Sequence, residues 1–145
     1  MSNDVRNQIL TSVVAALTGL PTSGARVFAS RVHEMQGHEL PGLRVYAAGE
    51  DITMASHGVV RRREHRMELV VECCAKAGNA DAQVDAMVRE VRAALDSAVI
   101  ASAKWIEPRR LDIEIEGDAE RNVGVGRITH EVLYYTARGA PDVAL

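Results

Sequence analysis

The sequence predicts an α+β fold, a mostly antiparallel mixed sheet of four to five strands packed with two helices and with a long arm between the second and third strands. Three observations carry this. Two strand-like segments, 40–51 and 65–77, flank a polar, arginine-bearing stretch and run straight into one amphipathic helix, 80–100. A second helical stripe opens the chain. The last third alternates apolar and acidic residues with the two-residue period of a strand. Helices in two places against hairpin-linked strands form a layered α+β sandwich.

In the first segment Val5, Ile9, Val13, Ala16, Leu17 and Leu20 recur at helical spacing. Ser2 or Asn3 can cap its start. Gly19 suits the position just past its end, and Pro21 blocks continuation. A short strand is expected over 25–33, then a loop from Gln36 to Gly42 broken by Gly37, Pro41 and Gly42. In LPGLRVYAAGED (40–51), Leu43, Val45 and Ala47 share one face. The arm is ITMASHGVVRRRE (52–64). After it, Met67, Leu69, Val71, Cys73 and Ala75 form a second apolar strand face.

Gly78 and Asn79 end that strand, and Asn79 can cap the second helix. Val84, Met87, Val88, Val91, Leu95 and Val99 are its buried stripe. Leu111, Ile113 and Ile115 alternate with Asp112, Glu114 and Glu116, which reads as a half-buried strand. Residues 117–122 turn the chain, GRITHEVLYYTA (126–137) closes the sheet, and 139–145 reads as a short mobile tail. No internal repeat or low-complexity linker divides the chain, so one domain over 1–145 is expected.

Composition narrows the function. The chain has 145 residues, 47% of them hydrophobic, enough for a core without staples. A net charge of −3 argues against a nucleic-acid binder by bulk electrostatics. Charge is segregated, however: Arg61, Arg62, Arg63 and Arg66 lie at one site, and Asp112, Glu114, Glu116, Asp118 and Glu120 at another. No stretch is apolar enough to span a bilayer, and no leader peptide is expected. Cys73 and Cys74 are adjacent, on opposite strand faces, and cannot readily bridge, which fits a reducing cytoplasm.

No catalytic, cofactor-binding or metal signature is present; GxSxG, Walker A, HExxH and CxxC are all missing. Five histidines (His33, His38, His57, His65, His130) are raw material for a metal site, but no Cys or acidic partner completes a ligand spacing, so surface and loop roles outweigh ligation. Asp112, Glu114 and Glu116 could hold a cation, form a solvated face, or wall a pore or partner; the solvated face is favoured by composition. Cys73 falls among apolar residues and is a poor nucleophile. Arg61–Arg63 suit a phosphate, a solvated loop or an interface; one Phe and one Trp give no aromatic interleaving for nucleic acid. Trp105 reads as a core or edge anchor, or alternatively as the anchor of a subunit contact. Val59, Val60 and three consecutive arginines do not fold back easily into a small core, so the arm is expected to be held by another molecule or another copy.

The segments LPGLRVYAAGED, RMELVVECCAKA, VDAMVREVRAALDSAV and ITHEVLYYTA, with the N-terminal helix beginning near Val5, make the chain resemble the tail terminator proteins of long-tailed bacteriophages, the lambda-type minor tail protein U family. The resemblance covers nearly the whole chain; the arm and 101–124 match least. It implies a non-enzymatic virion protein without cofactors, at the head-proximal end of the tail and in the host cytoplasm during assembly. It also implies a hexameric ring that caps the tube of major tail protein, stops tube growth and presents a surface to the head-completion or connector protein, with DNA passing through unread. In such a ring Val59, Val60 and Arg61–Arg63 are interface candidates. Asp112, Glu114 and Glu116 either meet a neighbour's arginines or line the lumen, where negative walls repel DNA. A neck or head-completion adaptor, or a small cytoplasmic α+β enzyme or ligand-binding protein, is the alternative.

Overall fold

In a computed structural model of the chain, the structure describes residues 4–30, 32–33, 35–54, 61–76, 78–116 and 123–145. Helix α1 spans Val5–Leu17 and α2 spans Ala80–Ser97. The strands are β1 (Val27–Phe28), β2 (Gly42–Met54), β3 (Arg62–Ala75), β4 (Trp105–Glu116), β5 (Val123–Ala137) and β6 (Ala140–Ala144). They form one sheet in the order β1-β2-β3-β5-β4, with β6 also on β5. Only the β1–β2 pair is parallel. The α+β architecture is the expected one, with two short strands more than the minimum.

Both helices cover the same face of the sheet. Val5, Ile9, Val13 and Leu17 of α1 and Ala80, Val84, Met87, Val91 and Leu95 of α2 share one buried cluster with Leu43, Val45, Met67, Leu69, Val71, Cys73, Ile128 and Val132. These strand residues follow the two-residue period; the opposite face is mainly polar, with Val70, Cys74 and Leu133 buried among its charged side chains. Helix α2 seats closely because β5 offers glycine beneath it. A β-carbon on Gly126 would stand 2.7 Å from Val84 Cγ1 and 3.1 Å from Val88 Cγ2. Such distances are too tight for ordinary packing.

Several local expectations change. Ser2 and Asn3 lie outside the described residues; Asp4 caps α1, its Oδ1 accepting from the Asn7 N–H at 2.9 Å. Asn79 stands at the α2 N-cap but makes no side-chain capping bond. The strand expected over 25–33 shrinks to two residues pairing with Leu43 and Arg44. Much of the arm is strand: Ile52, Thr53 and Met54 pair with His65, Glu64 and Arg63. Residues 55–60 lie outside the described residues. The expected tail carries β6, fastened by Gln8 Nε2 donating to the Asp142 carbonyl at 2.9 Å and by Leu145 N–H donating to the Tyr135 carbonyl at 2.9 Å.

The largest correction concerns β4. It starts at Trp105, and its apolar row is not half-buried: Leu111, Ile113 and Ile115 are 41%, 47% and 41% exposed. Their partners on β5 are Ile128, Gly126 and Gly124, on the helix-covered face. The row lies on the correct face, but β4 is the edge strand, and α2 leaves its apolar side chains partly open to solvent.

Candidate functional site

Two regions stand out, the root of the β2–β3 hairpin and the β4 edge. At the root, β3 pairs with β5 as far as Arg62 opposite Ala137, so the hairpin leaves the sheet from a well-held base. Four polar side chains occupy its helix-side face. His65 Nε2 lies 2.8 Å from Thr136 Oγ1, and His65 Nδ1 lies 3.3 Å from Glu50 Oε1. Tyr134 stacks on the His65 ring at 4.3 Å and donates its hydroxyl to Glu50 Oε2 at 2.8 Å. Burial and the Glu50 carboxylate push the Tyr134 phenol well above its usual range. An acid–imidazole–hydroxyl chain resembles a nucleophile relay. Here Thr136 is buried, at 2% exposure, on the wall of a small pocket of about 210 Å³ that Glu50, His65 and Tyr134 also line. The set serves as a satisfied polar clasp across β2, β3 and β5.

Sequence reasoning missed this clasp because its members are 15 and 71 residues apart in sequence. Beside it Arg61, Arg62 and Arg63 are all exposed. Arg62 lies over the Tyr135 ring at 5.6 Å, and no ion pair involves the side chains of Arg61 or Arg63 among the described residues. Val59, Val60 and His57 lie outside the described residues.

The open face of the sheet is a charge lattice built by register. Arg44, Glu72, Arg127 and Asp112 stand in one row across β2, β3, β5 and β4. Glu72 is buried and lies 3.1 Å from both Arg44 Nη2 and Arg127 Nη2. Asp112 accepts from Arg110 Nε at 2.8 Å, which holds its carboxyl below the usual range. Further along, Glu131 is bound by Arg109 at 2.7 Å and Arg66 at 3.3 Å, and both arginines lie over Trp105. Trp105 is therefore a half-buried anchor on β4. Glu114 and Glu116 are exposed on the open face, Asp112 half-buried beside them. Asp118 and Glu120 lie outside the described residues.

The structure does not bring the basic and acidic sites together. Arg63 is level with Thr136 on β5, and Asp112 is level with Arg127. Nine strand residues, about 30 Å, separate them. The other candidates disperse as well. His33 stacks on Phe28 at 4.2 Å and pairs with Glu39 at 2.9 Å, His38 is exposed, and His130 is buried. No group of three or more His, Cys, Asp or Glu side chains is placed to hold a metal among the described residues. Cys73 and Cys74 are free and buried on opposite faces, and burial pushes the Cys73 thiol up to about 12. No helix is long and apolar enough to cross a membrane among the described residues. Among the described residues the surface offers an unpaired strand edge, a partly exposed apolar row and two separated patches of opposite charge.

No family model matches the chain, and no curated protein matches it. Among solved structures 22 chains match. One is part of the virion of a native gene transfer agent particle, at 19% identity over 90% of this chain and 91% of that chain, with a TM-score of 0.45. At that identity and score the likeness assigns no role.

Proposed function

We propose that this chain is a structural subunit of a phage or phage-like virion, and within it a tail terminator. Copies close into a ring on the tail tube, end tube growth and present the surface that joins tail to head. The reading starts from the resemblance of segments 40–51, 66–77 and 84–99 and the closing strand to terminator proteins. The observation that carries it is the uncovered row Leu111, Ile113 and Ile115 on an edge strand. Such an edge invites pairing and aggregation unless something covers it. The separation of Arg61–Arg63 from Asp112, Glu114 and Glu116 supports assembly too. Within one copy these patches lie about 30 Å apart. In a cyclic ring every contact is heterologous, so the basic patch of one copy can meet the acidic patch of the next. On this reading the protein has no enzymatic role, its partners are the tube protein and the connector, and DNA passes through without specific contacts.

The test is solution mass by light scattering over a concentration series, for wild type and for the triple change of Arg61, Arg62 and Arg63 to Glu. Wild type is expected to reach a hexamer and the triple variant to stay monomeric and fail to cap purified tubes. A triple variant that assembles and caps like wild type rules out the arginine contact. Hexamers that still form when Asp112, Glu114 and Glu116 are changed to Lys, but that slow DNA ejection, would move the acidic strand to the lumen.

A further inference from the structure

We propose that the free edge of β4 pairs with the free edge of β2 from a second copy, so that the sheets of neighbouring subunits form one continuous sheet. The inference rests on the ring reading and names the surface that would build it. Among the described residues the long strands leave two free edges. β4 ends the strand order on one side, and β1 covers β2 only at Leu43 and Arg44 on the other. Beyond Arg44 the outward N–H and C=O groups of β2 have no strand neighbour among the described residues.

The two edges match in chemistry. Both carry an apolar row on the helix-side face. On β4 it is Leu111, Ile113 and Ile115; on β2 it is Ile52 at 53% and Met54 at 44% exposure. Ile52 pairs with buried His65, which fixes its face. Charge is opposite: residues 111–116 hold three carboxylates and no base, whereas 51–54 with 61–63 hold three arginines and one aspartate. A second copy therefore satisfies both edges at once, whereas an acidic or neutral peptide would satisfy only the backbone of one. β2 and β4 run in opposite directions within the sheet, so copies of one orientation would pair antiparallel. Matching the two apolar rows shifts the neighbour by about nine residues along the strands, since Ile52 and Met54 are level with 134–136 on β5 and Ile113 with Gly126. A shift of this kind closes when strands run obliquely to the axis, as in a sheared barrel. Without the tilt it climbs into an open filament.

Two measurements on the full chain test this. The first is the assembly concentration of Ile113→Lys against wild type, with circular dichroism and thermal melting as a check of folding, which an exposed site is expected to pass. A charge set in the paired edge is expected to raise that concentration at least about tenfold. The second is oxidative cross-linking of a Met54→Cys preparation mixed with Leu111→Cys, Ile113→Cys or Ile115→Cys, each also run alone. Native Cys73 and Cys74 are buried and serve as silent background. A cross-link only in a mixture supports the pairing. Wild-type rings with no cross-link and with Ile113→Lys assembling normally overturn the pairing and leave the ring. A monomer at every concentration with no cross-link overturns both. Cross-linked open filaments by electron microscopy support the pairing and overturn the ring.

Discussion

His65 on β3 and Thr136 on β5 meet at 2.8 Å between Nε2 and Oγ1, both buried, at the point where the β2–β3 hairpin leaves the sheet. The other ring nitrogen is engaged by Glu50, so each polar atom of the imidazole has a partner. Thr136→Val keeps the shape and removes the hydroxyl. The stranded nitrogen is expected to cost about 1–3 kcal/mol. Urea unfolding should show a lower midpoint with an unchanged slope. A midpoint equal to wild type would mean that this hydrogen bond adds nothing net.

Glu72 is the second buried polar group with a clear role. Its carboxylate lies between Arg44 and Arg127 at 3.1 Å each. Removing the Glu72 charge leaves two partly buried arginines facing each other without their shared carboxylate. Glu72→Gln is expected to destabilise by about 3 kcal/mol, while Glu114→Gln, at an exposed site, stays within about 0.5 kcal/mol. Equal stability of the two variants in denaturant titration would refute the distinction.

His130 makes stability depend on acid. It is 2% exposed on β5, and burial above all pushes its pKa down to about 4 from an ordinary value of 6.5. The folded state therefore resists protonation that the unfolded chain accepts. The stabilisation is fully present above pH 6.5 and is lost as pH falls from 6.5 towards 4. The loss is expected to total about 3 kcal/mol. His130→Gln should flatten this part of the stability profile measured between pH 7 and 4. A variant with the same acid slope as wild type would move the effect to other groups.

Much of the fold was legible in the sequence, and the exceptions share a cause. The β3 alternation and the α2 stripe from Val84 to Leu95 are local periodic signals and lie where they were expected, but Val99, expected in that stripe, falls beyond the helix end at Ser97 and is 94% exposed. The row Leu111, Ile113 and Ile115 carries an equally clear period, yet it is exposed. Alternation reports that a strand has two chemical faces; whether anything covers one depends on strand order, which here puts β4 at the edge. Segment 140–144 holds Pro141 and follows Gly139, the composition of a tail. It pairs as β6 at the sheet margin, where a missing N–H is tolerated. The clasp of Glu50, His65, Tyr134 and Thr136 needs the register between β2, β3 and β5, which no local pattern encodes. The two charge clusters were readable as composition, and their separation along the sheet was not.

The seating of α2 is sensitive to one hydrogen-to-methyl change. Gly126→Ala places a β-carbon against Val84 and Val88, which must give way together because both belong to the buried α2 stripe. Overpacking of this kind typically costs about 1–3 kcal/mol. Amide exchange in residues 84–91 should quicken relative to α1 if the strain is local to α2. Uniform acceleration in both helices would instead mean that the helices open as one unit.

Cys73 and Cys74 offer a readout of opening. Thiolate is the reactive form, and burial raises both thiols, Cys73 to about 12. With both side chains also buried, a thiol reagent at pH 8 can reach them only through unfolding or local opening. Native protein is expected to label slowly, and both thiols to label at once in strong denaturant. Because Thr136→Val weakens the clasp across β3 and β5, it should speed native labelling in step with its loss of stability. Rapid labelling of one thiol in the native wild type would show that β3 is open to solvent on at least one face, against the packing described.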